Sequence, residues 1–211
     1  MGVGSWEMGG ALIPPSLHPS NKEYLKVGFH PMARVRLSGL NAGIMKTLED
    51  LFLDRLAVIY DSELRLAPAI EQLAESATCS QLQAIMHEHA AGKRDHVLNL
   101  ESVFAMLAAC PLRRICEPTV ALIYESYAVV TDYHDSPAIN AALISIFQKM
   151  EHYEIASYGC LRDWASVLGH EDIVAVLQQI LNHDKASNQE LTVLARSRSN
   201  LAAMGGSTIA A

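Results

Sequence analysis

From about residue 47 to residue 198, apolar positions recur every three or four residues, the spacing that places side chains on one face of a helix. Phe52, Leu56, Ile59, Leu66, Ile70 and Leu73 predict a first helix running from Thr47 to Ala77–Thr78. Thr47 is its expected N-cap, with Asp50 three residues on as an imperfect capping box. Pro68 lies inside this run and is expected to kink the helix or cost it a hydrogen bond. Leu82, Ile85, Leu100, Val103 and Leu107 predict a second helix, capped by Ser80 or Thr78 and closed by Pro111. Val120, Ile123, Tyr127 and Val130 predict a shorter third helix between Pro118 and about Tyr133. Ser136 as N-cap and Pro137 at the first helical position would then open a fourth. Its stripe is Leu143, Phe147, Met150, Tyr158, Leu161, Ala165 and Leu168, with Gly169 as C-cap. Ile173, Leu177, Ile180, Ser187, Leu191 and Leu194 predict a fifth helix that frays after Arg198.

Helices of about 30 residues are roughly 45 Å long, and short turns between such helices imply antiparallel neighbours. The expected fold is therefore all-α: an antiparallel bundle of four long helices, with the short third helix as the connection between two hairpins. The helical domain is expected over residues 45–200. Residues 1–44 hold Gly2, Gly4, Gly9, Gly10, Pro14, Pro15, Pro19 and Pro31 without sustained periodicity, and read as a flexible tail. Composition changes at Met45, so one hypothesis is that native translation starts there; an intact mass that includes residues 1–44 would overturn it. Gly205-Gly206-Ser207 marks a second flexible tail over residues 201–211.

Composition agrees with helices: half the residues are apolar, but only 6% are aromatic. A net charge of -7 supplies no basic footprint for nucleic acid or an anionic membrane. No apolar run approaches the roughly 20 residues that span a bilayer. Cys79, Cys110, Cys116 and Cys160 form no C-x-x-C pair and are too scattered for a disulfide framework, which points to a reducing, cytoplasmic setting.

The chemistry lies in interruptions of the stripes. The first helix carries Glu63 mid-stripe, the second His89 and His96 with Gly92 or Lys93 between them, the fourth Glu151 and Glu154, and the fifth Asp184 with His183 beside it. Carboxylates do not enter a core without a partner, because burying the charge is costly. Four carboxylates and two imidazoles meeting at one level would be the ligand chemistry of a two-metal site. His89 and His96 stand about 10 Å apart along the helix, so both serve one cluster only if carboxylates bridge them; His96 is the better placed.

The runs Lys46-Thr47-Leu48-Glu49-Asp50-Leu51-Phe52 and Lys149-Met150-Glu151-His152-Tyr153-Glu154-Ile155-Ala156-Ser157-Tyr158-Gly159, with Asp184-Lys185-Ala186 and Leu191-Thr192, resemble the YciE/YciF family of ferritin-like, stress-associated bacterial proteins. The resemblance covers about residues 45–198. It implies a ferritin-like bundle, a dinuclear site for iron or manganese held by Glu63, His89, His96, Glu151, Glu154 and Asp184, and a homodimer. Three helices depart from the family pattern. Ala91 and Gly92 stand where carboxylates are usual, Asn182-His183-Asp184 with Asn188 replaces a Glu-rich run, and Tyr124 replaces one member of an acidic pair.

Those departures define the opposing expectation, a bundle that has lost its metals and acts by association. Lys93, Arg94 or Arg55 could then project towards the carboxylates and replace a cation, or close carboxylates could share protons.

Overall fold

The computed structural model describes residues 46–204; the expected tail over 1–44, residues 205–211 of the expected tail over 201–211, and the proposed start at Met45 lie outside the described residues. Five principal helices follow in order: α1 (Leu48–Ala74), α2 (Ser80–Met106), α3 (Glu117–Tyr133), α4 (Ile139–Val167) and α5 (Glu171–Leu194). A π-helical turn, Ala195–Ser199, leads into a last short helix, α6 (Asn200–Ala203). The chain is thus helical past Arg198, where fraying was expected.

Two of the ends read from capping chemistry, at Thr47 and Gly169, are present. Thr47 Oγ1 accepts the Asp50 amide at 3.2 Å, and Asp50 Oδ2 accepts the Thr47 amide at 2.8 Å, closing the capping box. Gly169 adopts φ +80 and ends α4, with the His170 amide bonded to Ala165 O at 2.9 Å and the Gly169 amide to Ser166 O at 3.0 Å. α1 remains helical on both sides of Pro68, which lies inside it without ending it.

Other boundaries differ, and tertiary contacts explain them. The N-cap of α2 is Cys79, without a side-chain cap. Thr78 is engaged by Asn140 of α4, whose Oδ1 accepts the Thr78 and Cys79 amides at 3.0 and 3.3 Å. Ser136 forms a turn rather than an N-cap: its Oγ accepts the Ala138 amide at 3.1 Å, and α4 starts only at Ile139. α2 ends at Met106, before Pro111, because Ala108 turns the chain with φ 50. Ala109 N bonds Phe104 O at 2.9 Å and Ala108 N bonds Ala105 O at 3.0 Å, the same cap as at Gly169 but built on an alanine. A Cβ is unfavourable at that φ. Ala108→Gly is therefore expected to stabilise the fold by about 1 kcal/mol in urea unfolding; a loss of stability would contradict this reading of the turn.

α1 pairs antiparallel with α2, joined by Tyr60 Oη donating to Glu101 Oε1 at 2.8 Å and Arg94 Nη1 to Glu71 Oε2 at 3.0 Å. α4 pairs antiparallel with α5, as Gln148–Thr192 and Arg162–Gln178 hydrogen bonds of 2.8 and 2.9 Å show. α3 packs differently from expectation. Its buried residues are Thr119 and Ser126, whereas Val120 is 38% exposed. Thr119 Oγ1 lies 2.6 Å from Ser62 Oγ, so a polar contact anchors the start of α3 to α1. Ile123, Tyr127 and Val130 are only partly buried against the core.

The core is divided into two apolar layers. One gathers Leu66, Ile70, Met86, Phe147, Met150 and Leu191 among others; the second gathers Phe52, Leu56, Leu100, Tyr158, Leu161 and Leu177. In sequence, Glu63, Lys93, Glu154 and Asp184 each fall between a residue of one layer and a residue of the other. A polar level therefore crosses the bundle at mid-height.

A second polar network was not foreseen. Asp61, 1% exposed, accepts Arg65 Nε at 2.6 Å, Arg113 Nη2 at 2.9 Å and the buried Cys116 amide at 3.0 Å. It fastens the segment before α3 to α1. The sequence signal was the Asp61–Arg65 spacing of four residues.

Candidate metal centre

All six predicted site residues, Glu63, His89, His96, Glu151, Glu154 and Asp184, are buried at the polar level. Each arrives from a mid-helix position on a different part of the four-helix frame, with apolar layers above and below excluding water. The group they surround belongs to the protein itself. Lys93 is 1% exposed, and its Nζ lies 2.7 Å from Glu154 Oε2, 2.9 Å from Asp184 Oδ1 and 3.6 Å from Glu151 Oε1. Among the described residues it is the buried cation of the core. Arg94 and Arg55, the other two candidates, have side chains 53% and 47% exposed and pair with Glu71 and Asp54.

The remaining contacts extend from this centre. Tyr158 Oη donates to Glu63 Oε1 at 2.6 Å, and His96 Nδ1 lies 3.2 Å from the same oxygen. His89 stacks on Phe147 with ring centroids 5.1 Å apart, and its Nδ1 stands 3.7 Å from Glu151 Oε1. His183 was noted in the sequence only as a neighbour of Asp184. Its ring lies edge-on to His96, with centroids 4.9 Å apart, and its side chain remains 42% exposed.

The charges follow from this geometry. Burial pulls Lys93 down, but Glu154, Glu63, Asp184 and Glu151 outweigh it and hold the ammonium well above the ordinary lysine range. Burial pushes Glu151 and Glu154 well above the carboxylate range, and Glu63 up to about 7, with Lys93 opposing in each case. Burial also raises Asp184, yet Lys93 and His183 prevail and leave it below its usual value. Burial, followed by repulsion from Lys93, pulls His89 down to about 4 and His96 down to about 3. At neutral pH both imidazoles are neutral, Lys93 is charged, and Asp184 is its ionised partner.

The fit to a metal pair can be judged from the donors. Among the described residues, Glu151–Glu154–Asp184 and His96–His183–Asp184 each present ligand atoms within 4.8 Å of one another. The carboxylate trio is the hard-oxygen half of a dinuclear site, and it is the trio that Lys93 Nζ already contacts. A second cation placed there would meet an ammonium against the same three oxygens. The residues therefore do not fit two ions while Lys93 stands where it does. In contrast, Glu63 Oε2, Glu151 Oε2, Glu154 Oε1 and Asp184 Oδ2 are buried without a hydrogen-bond partner, so one ammonium does not saturate the cluster.

Comparison with known proteins matches this frame. The family described as a domain of unknown function, DUF892, matches residues 47–204. Protein YciF of Escherichia coli strain K12 is 33% identical over 152 residues, which cover 72% of this chain and 92% of that protein. The crystal structure of the E. coli stress protein YciF is 32% identical, with a TM-score of 0.71 over 74% of this chain and 99% of that one. The structure of YcfI from Rhodopseudomonas palustris is 34% identical, with a TM-score of 0.69 over 72% of this chain and 98% of that one. With the five-helix order, the intact Glu-His-Tyr-Glu run and these matches together, the chain belongs to the YciE/YciF family and has its all-α, ferritin-like fold.

Proposed function

We propose that this protein is a stress-associated helical bundle that acts by association, and that Lys93 has taken one cation position of an ancestral dinuclear site. The observation that carries the reading is the Lys93 ammonium at 2.7 and 2.9 Å from Glu154 and Asp184, with Glu151 at 3.6 Å. A carboxylate-bridged iron or manganese pair reacting with O₂ or peroxide would need those oxygens for itself. The stress association is supported by the relative whose structure is described as a stress protein. Four free cysteines support a cytoplasmic setting. Among the described residues no helix is long and apolar enough to cross a membrane.

The chemical test is aerobic oxidation of Fe(II). Added to the metal-stripped protein, Fe(II) is expected to oxidise no faster than in buffer; saturable acceleration at two ions per chain would overturn the reading.

Association as a homodimer is supported by an apolar surface before and at the start of α3, where Leu112 is 56%, Ile115 46% and Val120 38% exposed. Ile115→Glu with Val120→Glu is expected to convert a dimer to a monomer in size-exclusion chromatography with light scattering. An unchanged dimer would place the interface elsewhere.

A further inference from the structure

α3 fills only part of the groove between α1 and α4. Thr119, near its start, meets Ser62, and further along Tyr127 Oη donates to Gln72 Oε1 at 3.0 Å. α3 therefore runs beside residues 62–72 of α1 and leaves the earlier turns of that helix uncovered. Among the described residues, the part beside residues 55–59 of α1 and 153–164 of α4 stays open as a cavity of about 520 Å³. Small-molecule sites commonly hold roughly 300–1,000 Å³.

Its apolar surface is already in place. Ile59 and Leu161, both buried, form the floor. The Tyr153 ring is held at one end by its hydroxyl, 3.0 Å from Cys116 Sγ. Trp164 lines the cavity three turns further along α4, about 16 Å by helical rise. The surface is therefore elongated rather than a round pit.

Charge selects among apolar ligands. Arg55 and Arg114 reach the cavity from two elements, α1 and the segment before α3, and Glu117 is the one carboxylate among the lining residues. Asp54, outside the lining, pairs with Arg55 through Oδ2 at 2.7 Å and with Arg114 through Oδ1. One oxygen each leaves further N–H donors on both groups, because a guanidinium carries five. Both side chains are about half exposed, so these pairs are weak and a second carboxylate can join them. The Arg55 charge is also felt inside the cavity. Burial and the Cys116 thiol raise the Tyr153 phenol above its ordinary range, and Arg55 opposes them.

We propose that this α1–α4 groove binds an apolar monocarboxylate, its carboxylate on Arg55 and Arg114 and its hydrocarbon body along Ile59, Leu161 and Trp164. A neutral apolar ligand would leave the guanidinium donors unused, and a small polar anion would leave the floor uncovered. No residue of the Lys93 layer lines the groove, so the proposal does not depend on the reading of Lys93.

The test is calorimetric titration of the full chain with sodium octanoate and sodium 2-naphthoate, an aliphatic and an aromatic probe, beside octan-1-ol and 2-naphthalenemethanol. At least one carboxylate is expected to bind saturably, one per chain, and about 10-fold or more tighter than its alcohol. Arg55→Met is expected to weaken that binding by about 10-fold. Ala156→Trp, which fills the groove from an exposed position, is expected to abolish it while far-ultraviolet circular dichroism shows an intact bundle. The bound carboxylate is also expected to slow alkylation of Cys160, an exposed thiol in the lining, followed by peptide mass spectrometry. No saturable binding of either carboxylate would overturn the proposal, as would equal affinity for the alcohols or unchanged affinity in Ala156→Trp. Ile115 belongs both to this lining and to the apolar surface assigned above to a dimer. Dissociation of a dimer by Ala156→Trp, with neither carboxylate bound by the parent, would overturn the proposal and assign the groove to a second copy.

Discussion

Lys93→Met is expected to destabilise the bundle by about 3–5 kcal/mol at pH 8, the range seen when one member of a buried ion pair is removed. The methionine fills most of the lysine stem's volume, so the loss reports charge rather than packing. Without the ammonium, Asp184 and the three glutamates face one another in an enclosed layer. Their only relief is protonation, which gives the effect a pH signature. In the parent, Lys93 is held above its unfolded value of about 10.5. Its contribution is therefore fully present below that value and is lost only as pH rises through the higher folded value. The carboxylates behave in the opposite direction with respect to charge. Glu63, Glu151 and Glu154 have folded values raised above 4.5, so the stability they contribute is present below 4.5 and is lost as pH rises. Removing Lys93 raises those values further. The deficit of Lys93→Met relative to the parent should then shrink between pH 8 and pH 5, measured by urea unfolding at each pH. A deficit that is small or pH-independent would mean that Lys93 is not the cation of the core.

Asp61→Ala should cost about 2–3 kcal/mol, the next largest loss, because it leaves the buried Cys116 amide without its acceptor. Arg65 and Arg113 contribute less to this cost, since their side chains are 34% and 53% exposed and can return to water. Burial raises Asp61, but Arg65, the Cys116 amide and Arg113 outweigh it and hold the carboxyl below its unfolded value. The stability it supplies is therefore present above about pH 4 and is lost as pH falls through the lower folded value. Parent and Asp61→Ala should differ at pH 7 and converge under acid. Increased hydrogen exchange confined to residues 109–117 would localise the loss to the segment before α3.

Much of the frame is legible in the chain because helix packing repeats. Leu56, Ile59, Leu66 and Ile70 bury on α1 as their spacing predicts, and Gly169 marks the end of α4. What is not legible depends on partners distant in sequence. Thr78 looks like a cap until Asn140, 62 residues away, takes its hydroxyl. Ala108 gives no glycine signal for its left-handed turn. Asp61 sits beside the α1 stripe rather than on it, and only the docking of residues 113–116 buries it.

The site divides in the same way. The stripes place the six candidate residues near the middle of their helices, with His89 and His96 two turns apart on α2. They leave open whether Gly92 or Lys93 faces inward, because adjacent residues share the edge of one face. Burial answers that: Lys93 points into the carboxylates, and Gly92 clears space for His183.

Metal content per chain tests the central claim most directly. The full chain would be purified from cells supplemented with iron and manganese, and its metals counted by plasma mass spectrometry against protein concentration. With Lys93 in place of one cation, no more than one transition-metal ion per chain is predicted; two ions per chain with Lys93 intact would contradict the account.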